Sequence, residues 1–249
     1  LNVEESEKKS KKYYKNNVLG TKNLLDASKD LIDFFIFSST CAVYDIKKNY
    51  YVSEKTNTFP KSFYGKTKLI CEQLIQEYSK KYNFKFGILR YFNVAGSDSK
   101  MRCGLINDNN QLFKNLSKAV VNKSFSINVF GKNYNTKDGT CIRDYIHVSD
   151  LSKFHIKVLN HLKNNKISII LNCGYGLGYT VLDIIRAFEK VTKKKFKITY
   201  KNRRAGDLPK IISKINKLKK ILGKNEKFKN IDDIVKSSLK WEKKIAKTK

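Results

Sequence analysis

The chain has 249 residues, 41% of them hydrophobic, with 15 Phe and 14 Tyr. That is enough apolar material for one large α/β unit or two small domains. Lys and Arg number 52 against 22 Asp and Glu, a formal net charge of +30 that suits nucleic acid or an anionic surface. The lysines are scattered in short runs, Lys8-Lys9, Lys11-Lys12, Lys193-Lys194-Lys195 and Lys219-Lys220, with no basic arm. General lysine enrichment is therefore the preferred reading, and nucleic acid is not the expected partner. No apolar run approaches the ~18 residues of a membrane span. The five cysteines are far apart and none forms a Cys-x-x-Cys pair, so no zinc site is expected. They read as reduced thiols of a cytoplasmic protein.

In chain order, Tyr14, Val18, Leu24 and Leu25 recur at helical spacing and predict a helix over about residues 8–29. The apolar run at 33–38 reads as a buried strand, and 41–60 as a polar loop. A long helix over 63–82 turns Leu69, Leu74, Ile75 and Tyr78 inward, and 85–91 is the next buried strand. This alternation predicts a βαβ unit with a parallel sheet. A loop holding Gly96 and Gly104 follows. A helix at 111–121 and a strand ending at Phe130 come next, then a turn-rich segment and a short strand at 141–147. Ser149 is expected to cap a helix reaching about His161, with Asp150 in its first turn. After a strand at 167–173 and a glycine loop at 174–178, Thr180 and Asp183 have the spacing of a capping box for a helix to about Thr192. A strand at 196–200, a loop at 203–209 and amphipathic stretches at 213–222 and 231–245 close the chain.

The chemistry concentrates between residues 35 and 69. The first strand ends in Ser38-Ser39-Thr40, and the long helix opens with Tyr64-Gly65-Lys66-Thr67-Lys68. Tyr64 and Lys68 are four apart and share one helix face. A nearby ammonium favours a phenolate, which makes Tyr64 a candidate base. Thr40 could pass a proton between a substrate hydroxyl and Tyr64. Taken alone, Tyr-x-x-x-Lys is more often a solvated pair.

The order hydroxyl, Tyr, Lys resembles the catalytic set of the short-chain dehydrogenase/reductase enzymes. Within them the chain resembles the UDP-glucose 4-epimerase family over nearly its whole length. Tyr13-Tyr-Lys-Asn-Asn17-Val-x-Gly-Thr21, Phe35-Ile-Phe-Ser-Ser39, Val43-Tyr44 and Leu89-Arg-Tyr-Phe-Asn93 follow in family order. The most specific block runs from Val129-Phe130-Gly to Ile142-Arg143-Asp-Tyr-Ile-His-Val148. Arg203-Arg204-Ala-Gly-Asp207-Leu-Pro209 fits the nucleotide loop. The resemblance implies an α/β fold: the C-terminal portion of an NAD-binding, Rossmann-like, doubly wound parallel sheet plus a smaller α/β substrate-binding domain. The NAD part is expected over 1–95, with 141–175 returning to it, and the UDP-sugar part mainly over 96–249.

It also implies roles. Thr40 and Tyr64 would handle the proton of the sugar 4-hydroxyl, and Lys68 would hold the nicotinamide ribose and lower the pKa of Tyr64. Asn16, Ser38 and Phe92 would contact NAD. Asn93, Gln111, Leu112, Asn128, Phe130, Arg143, Arg204 and Asp207 would line the site for UDP-glucose and UDP-galactose. Ile211 would stand as a gate beside the sugar C2 substituent; the alternative is an ordinary core residue. His147 reads as a packed core histidine, and no metal site is implied.

The chain departs from the family pattern at several points. Thr40 stands where many members have Ser, Asp45 replaces a Gly, and Gln111 replaces an Asn. No glycine-rich phosphate turn or ribose-binding acid precedes the Ser-Ser-Thr strand, and Gly174-x-Gly176-x-Gly178 has the wrong spacing. The expectation is that about three to four strands of the cofactor half precede Leu1, and that the full-length protein is a homodimer. Two rival readings stay open. One is another UDP-sugar epimerase of the same fold. The other is a basic binding protein that lacks complete catalytic machinery. Cys41-Ala42 after Thr40 argues against a dehydratase, which places an acidic pair there.

Overall fold

The computed structural model describes residues 3–46, 50–107, 111–204, 207–223 and 227–248. In chain order it holds α1 (Val3–Lys8), α2 (Ser10–Tyr13), a π-helical segment (Tyr14–Leu19), α3 (Gly20–Ser28), β1 (Phe34–Thr40), β2 (Tyr51–Val52), α4 (Phe63–Tyr82), β3 (Lys85–Tyr91) and β4 (Asn93–Ala95). Then come α5 (Leu112–Val121), β5 (Ser126–Phe130), β6 (Ile142–Arg143), β7 (Tyr145–His147), α6 (Val148–Asn165), β8 (Ile169–Cys173) and β9 (Tyr179–Thr180). The chain closes with α7 (Val181–Thr192), β10 (Lys197–Lys201), β11 (Lys210–Ser213), α8 (Asn216–Leu222) and α9 (Ile231–Lys247). The class is mixed α/β with parallel sheets.

Two compact units divide the chain. The first takes Leu1–Phe92, Lys153–Cys173 and Ser213–Asn225, and the second Asn93–Ser152, Gly174–Ile212 and Glu226–Lys249. The sequence reading put 141–175 with the first part; in the structure the returning segment begins at Lys153.

In the first unit β1, β3 and β8 form a parallel sheet in that order. Thr40 lies opposite Tyr91, and Tyr91 opposite Cys173, so the C-terminal ends of the strands come level. The strands are runs of Phe, Ile and Leu, as sheets covered on both faces require. Helix α4 covers one face because Cys71 and Ile75 repeat every four residues and pack with Val18, Leu25, Phe37, Phe84 and Ile88. Each such side chain contributes roughly 1.5–3 kcal/mol by leaving water. Local signals set its ends: the Ser62 hydroxyl accepts the Gly65 N–H at 3.1 Å, and Asn83 leaves the helix in the left-handed region.

The helix expected over residues 8–29 is broken by the π-helical segment. The wide turn carries Asn17 inward, where its amide donates to Thr67 on α4 at 3.0 Å. Tertiary contact outweighs local regularity there.

In the second unit β5 pairs with β10 and β4 with β7, both parallel, while β6 pairs parallel with β11 and antiparallel with β9. Phe113 of α5 packs on Tyr145 and Phe188, and Phe188 on Phe196, giving an aromatic core. The capping box at α7 is present: the Thr180 hydroxyl accepts from Asp183 N, and the Asp183 carboxylate from Thr180 N. Ser149 does not cap α6. The helix starts at Val148, and the Ser149 N–H is taken by His147 Nδ1 at 3.0 Å. His147 itself is buried, stacked on Phe228 and bonded to Ser237. No helix among the described residues is long and apolar enough to cross a membrane. No cluster of metal-ligating side chains occurs among them.

Candidate active site

The end of β1 and the first turns of α4 bring the hydroxyl, phenol and ammonium together in the first unit. The Thr40 backbone is still extended as the strand ends, and its hydroxyl accepts from Ala42 N at 3.2 Å. This turns the chain and brings the hydroxyl close enough to the Tyr64 phenol to ease its ionisation. The start of α4 is anchored from the first helix: Ser6 Oγ accepts the Tyr64 N–H at 3.1 Å, and Glu7 the Phe63 N–H at 2.7 Å. The Tyr13 ring meets Tyr64 edge-on at 6.4 Å.

Burial pushes the Tyr64 phenol up to about 12, and the neighbouring Thr40 side chain works against that rise. Lys68 was expected to be the charge that lowers it. Instead the Lys68 ammonium donates to the Ser38 carbonyl at 2.9 Å and lies 4.6 Å over the Phe37 ring. In this structure Thr40, not Lys68, is the neighbour that eases ionisation of the phenol. Burial holds the Lys68 pKa below its ordinary value, with Cys71 and Glu72 opposing. An ammonium has three donors, so the bond to Ser38 leaves capacity for a ribose diol.

The other residues expected at NAD fall as follows. Ser38 is exposed, its hydroxyl 2.6 Å from the Tyr91 phenol, which in turn lies 2.5 Å from His155 Nε2. Asn16 is exposed on the π-helical segment while Asn17 is buried. Phe92 is buried and its N–H goes to Cys173 O. Hydroxyls and an ammonium at the C-terminal ends of parallel strands are the donor set and the place a nicotinamide ribose needs, so these residues fit that end of NAD.

The residues expected at the nucleotide lie in the second unit. Arg143 Nη1 donates to Leu208 O at 2.7 Å and to Ile142 O at 2.9 Å, and Nη2 meets Asp207 at 3.4 Å. Arg204 stacks 4.0 Å over the Phe130 ring, and Arg203 stacks 4.1 Å over Tyr134. Ile211 is buried at 4% exposure, directly opposite Arg143 in the β11–β6 pairing. Asn128 is exposed on β5, and with Phe130, Asn115 and Lys118 it lines a cleft of about 320 Å³ beside α5. Gln111 and Leu112 open α5, and the Asn93 N–H goes to Asp144 O.

Sequence reasoning missed Glu72, Arg90, Tyr91 and His155. Glu72 follows Lys68 by four residues, the same spacing that links Lys68 to Tyr64, and that repeat was the available signal.

Residues 2–174 match the model of the NAD dependent epimerase/dehydratase family. The chain belongs to this family. It is 38% identical to a UDP-glucose 4-epimerase of Azospirillum brasilense over 245 residues, 98% of this chain and 70% of that protein. Among solved structures, a UDP-glucose 4-epimerase from Stenotrophomonas maltophila with bound NAD and formylated UDP-arabinopyranose superposes with a TM-score of 0.94 at 30% identity, covering 100% of this chain and 75% of that one. The UDP-Glc/GlcNAc 4-epimerase of Campylobacter jejuni is 38% identical with a TM-score of 0.81, covering 98% and 75%. The family reached from the ordered motifs is the one that matches.

Proposed function

We propose that the chain acts as a UDP-glucose 4-epimerase, interconverting UDP-glucose and UDP-galactose with NAD as cofactor. The observation that carries this reading is Thr40 at the end of β1 beside Tyr64, with Lys68 one helical turn on along α4, in a chain whose relatives bear that name. When bound, NAD supplies the acceptor and donor of the C4 hydride. Thr40 bridges the sugar 4-hydroxyl to Tyr64, and Tyr64, once ionised to the phenolate, takes that proton, becomes the neutral phenol and later returns the proton to the 4-keto sugar. Lys68 holds the nicotinamide ribose while anchored to Ser38 O. Arg143, Arg204 and Asp207 grip UDP, since a guanidinium fork suits phosphate oxygens. Firm UDP contacts leave the sugar free to turn over, so remote binding positions the reacting carbon.

A second reading, that N-acetylated UDP-sugars are also turned over, is supported by the identity to the Campylobacter enzyme. It depends on Ile211, which is β-branched and stiff at its first torsion. A reducing, cytoplasmic setting is part of the proposal. The homodimer remains part of the proposal.

The test is Tyr64→Phe, assayed by conversion of UDP-galactose to UDP-glucose with NAD supplied. Turnover should fall at least about a hundredfold, the low end for general acid–base work, with UDP affinity unchanged. A variant that epimerises at the wild-type rate removes Tyr64 from the mechanism.

A further inference from the structure

Glu72 lies one turn beyond Lys68 on α4 and is 1% exposed. Its carboxylate accepts from Arg90 Nε at 3.0 Å and Arg90 Nη2 at 2.6 Å, and also from the Ser39 hydroxyl. Arg90 on β3 and Ser39 on β1 lie directly opposite each other in the sheet, and both are buried. Two strands and a helix therefore end on one carboxylate.

A buried ion pair adds little net stability, because desolvation offsets the attraction. What it does provide is direction, since a carboxylate already holding a two-pronged guanidinium accepts a further donor only along defined lines. The donor here is Ser39, and its two chain neighbours are the β1 residues the proposed reaction uses. Thr40 meets the Tyr64 phenol, and the Ser38 carbonyl meets the Lys68 ammonium. Tyr64, Lys68 and Glu72 form one stripe along α4 at spacings of four. In a strand, turning one side chain turns its neighbours to opposite faces. Fixing Ser39 thus fixes both.

We propose that Glu72, locked by Arg90, is a positioning residue that sets the end of β1 through Ser39 and so aligns Thr40 with Tyr64 and the Ser38 carbonyl with Lys68. Neither Glu72 nor Ser39 touches the substrate. The inference rests on the epimerase reading for its catalytic consequence, but its geometry can be read without turnover.

Two variants test it. Ser39→Ala removes the link and leaves the Arg90–Glu72 pair intact; Glu72→Gln keeps the shape and removes the charge. Each is checked for folding by circular dichroism. In Ser39→Ala, kcat should fall at least about tenfold, as expected when reacting groups shift by a fraction of an ångström, with KM for UDP-glucose within about twofold. Lys68 is titrated separately by carbon-13 NMR in lysine-labelled protein, its signal assigned by loss in Lys68→Arg. It should titrate at lower pH in Ser39→Ala, because its charged form loses a well-placed acceptor. Glu72→Gln should show the same pattern; if it does not fold, Ser39→Ala decides alone. A folded Ser39→Ala protein whose Lys68 titrates as in wild type overturns the inference, whatever its melting temperature or turnover. Absence of epimerisation in the wild type overturns the functional reading instead, and the Lys68 titration still decides the role of Glu72.

Discussion

Replacing Gly65 by Ala puts one methyl group at the tightest point of the site. A Cβ there would stand 2.4 Å from the Ala42 carbonyl oxygen and 2.8 Å from Pro60 Cβ. Both obstacles are stiff, one being backbone and the other a ring, so α4 and the loop after β1 must part. Reaching 3.0 Å from the carbonyl takes a displacement of about 0.6 Å. Overpacking of this kind costs about 1–3 kcal/mol, against a gain of about 1 kcal/mol for Ala over Gly in a helix. The net expectation is a loss of about 0–2 kcal/mol, which lowers Tm by up to roughly 8 °C in a chain of this size. The parting separates Tyr64 from Thr40, so kcat should fall about 10- to 100-fold, since a 1 Å misplacement costs about the larger factor. Gly20→Ala is the control. The same methyl there finds only Lys15 O at 3.9 Å, and Gly20 has helical torsions. That variant should gain about 0.5–1 kcal/mol. Calorimetric melting and a UDP-glucose turnover assay on both variants test the argument. If Gly65→Ala melts as high as Gly20→Ala with unchanged kcat, the close approach of α4 to the β1 loop does not exist.

Three further outcomes are expected. Arg204→Ala should weaken UDP binding by about 1.5–3 kcal/mol, the scale of a charge-assisted hydrogen bond; an unchanged Kd in titration calorimetry would remove Arg204 from the nucleotide site. Ile211→Cys should raise turnover of UDP-N-acetylglucosamine relative to UDP-glucose by about 10-fold or more, the modest discrimination a hydrophobic wall gives; an unchanged ratio means that Ile211 is only a core residue. At Asp183, partial burial resists ionisation, yet hydrogen bonds from Lys137 and Thr180 hold the carboxyl below its usual range. A depressed pKa stabilises above the unfolded carboxylate value and is lost as pH falls. Asp183→Ala should therefore melt lower at pH 7 by about 1 kcal/mol of stability, and the gap should narrow as pH drops below about 4.

The long helices were legible because local signals mark them. In α4 the apolar spacing alone marked the segment that the structure bounds with the Ser62 cap and the left-handed Asn83, and in α7 the Thr180–Asp183 box marked the start. The break at Tyr14–Leu19 was not legible, since no Gly or Pro marks it and the Thr67 hydroxyl that takes the inward Asn17 amide lies fifty residues away. Strand β11 was not read from the sequence: residues 210–212 fall between the loop that ends at 209 and the amphipathic stretch that begins at 213. Lys210-Ile-Ile-Ser is too short for a period, and its pairing with β6 makes it a strand. At the site, spacing placed Tyr64 and Lys68 on one helix but could not say where the ammonium points. That depends on the Ser38 carbonyl and on the burial of the phenol, both products of the packed fold. Glu72 and Arg90 stayed hidden because an ion pair across 18 residues of chain leaves no local pattern.

The interleaving of the two units has a consequence for synthesis. Each unit is built from three stretches that alternate along the chain. As the polypeptide leaves the ribosome, β1 and β3 emerge long before β8, and α5 long before α9, which packs on it. Neither unit can close until nearly the whole chain has been translated. At ~5–20 residues per second, unfinished sheet edges stay open for several seconds, during which they are exposed to aggregation.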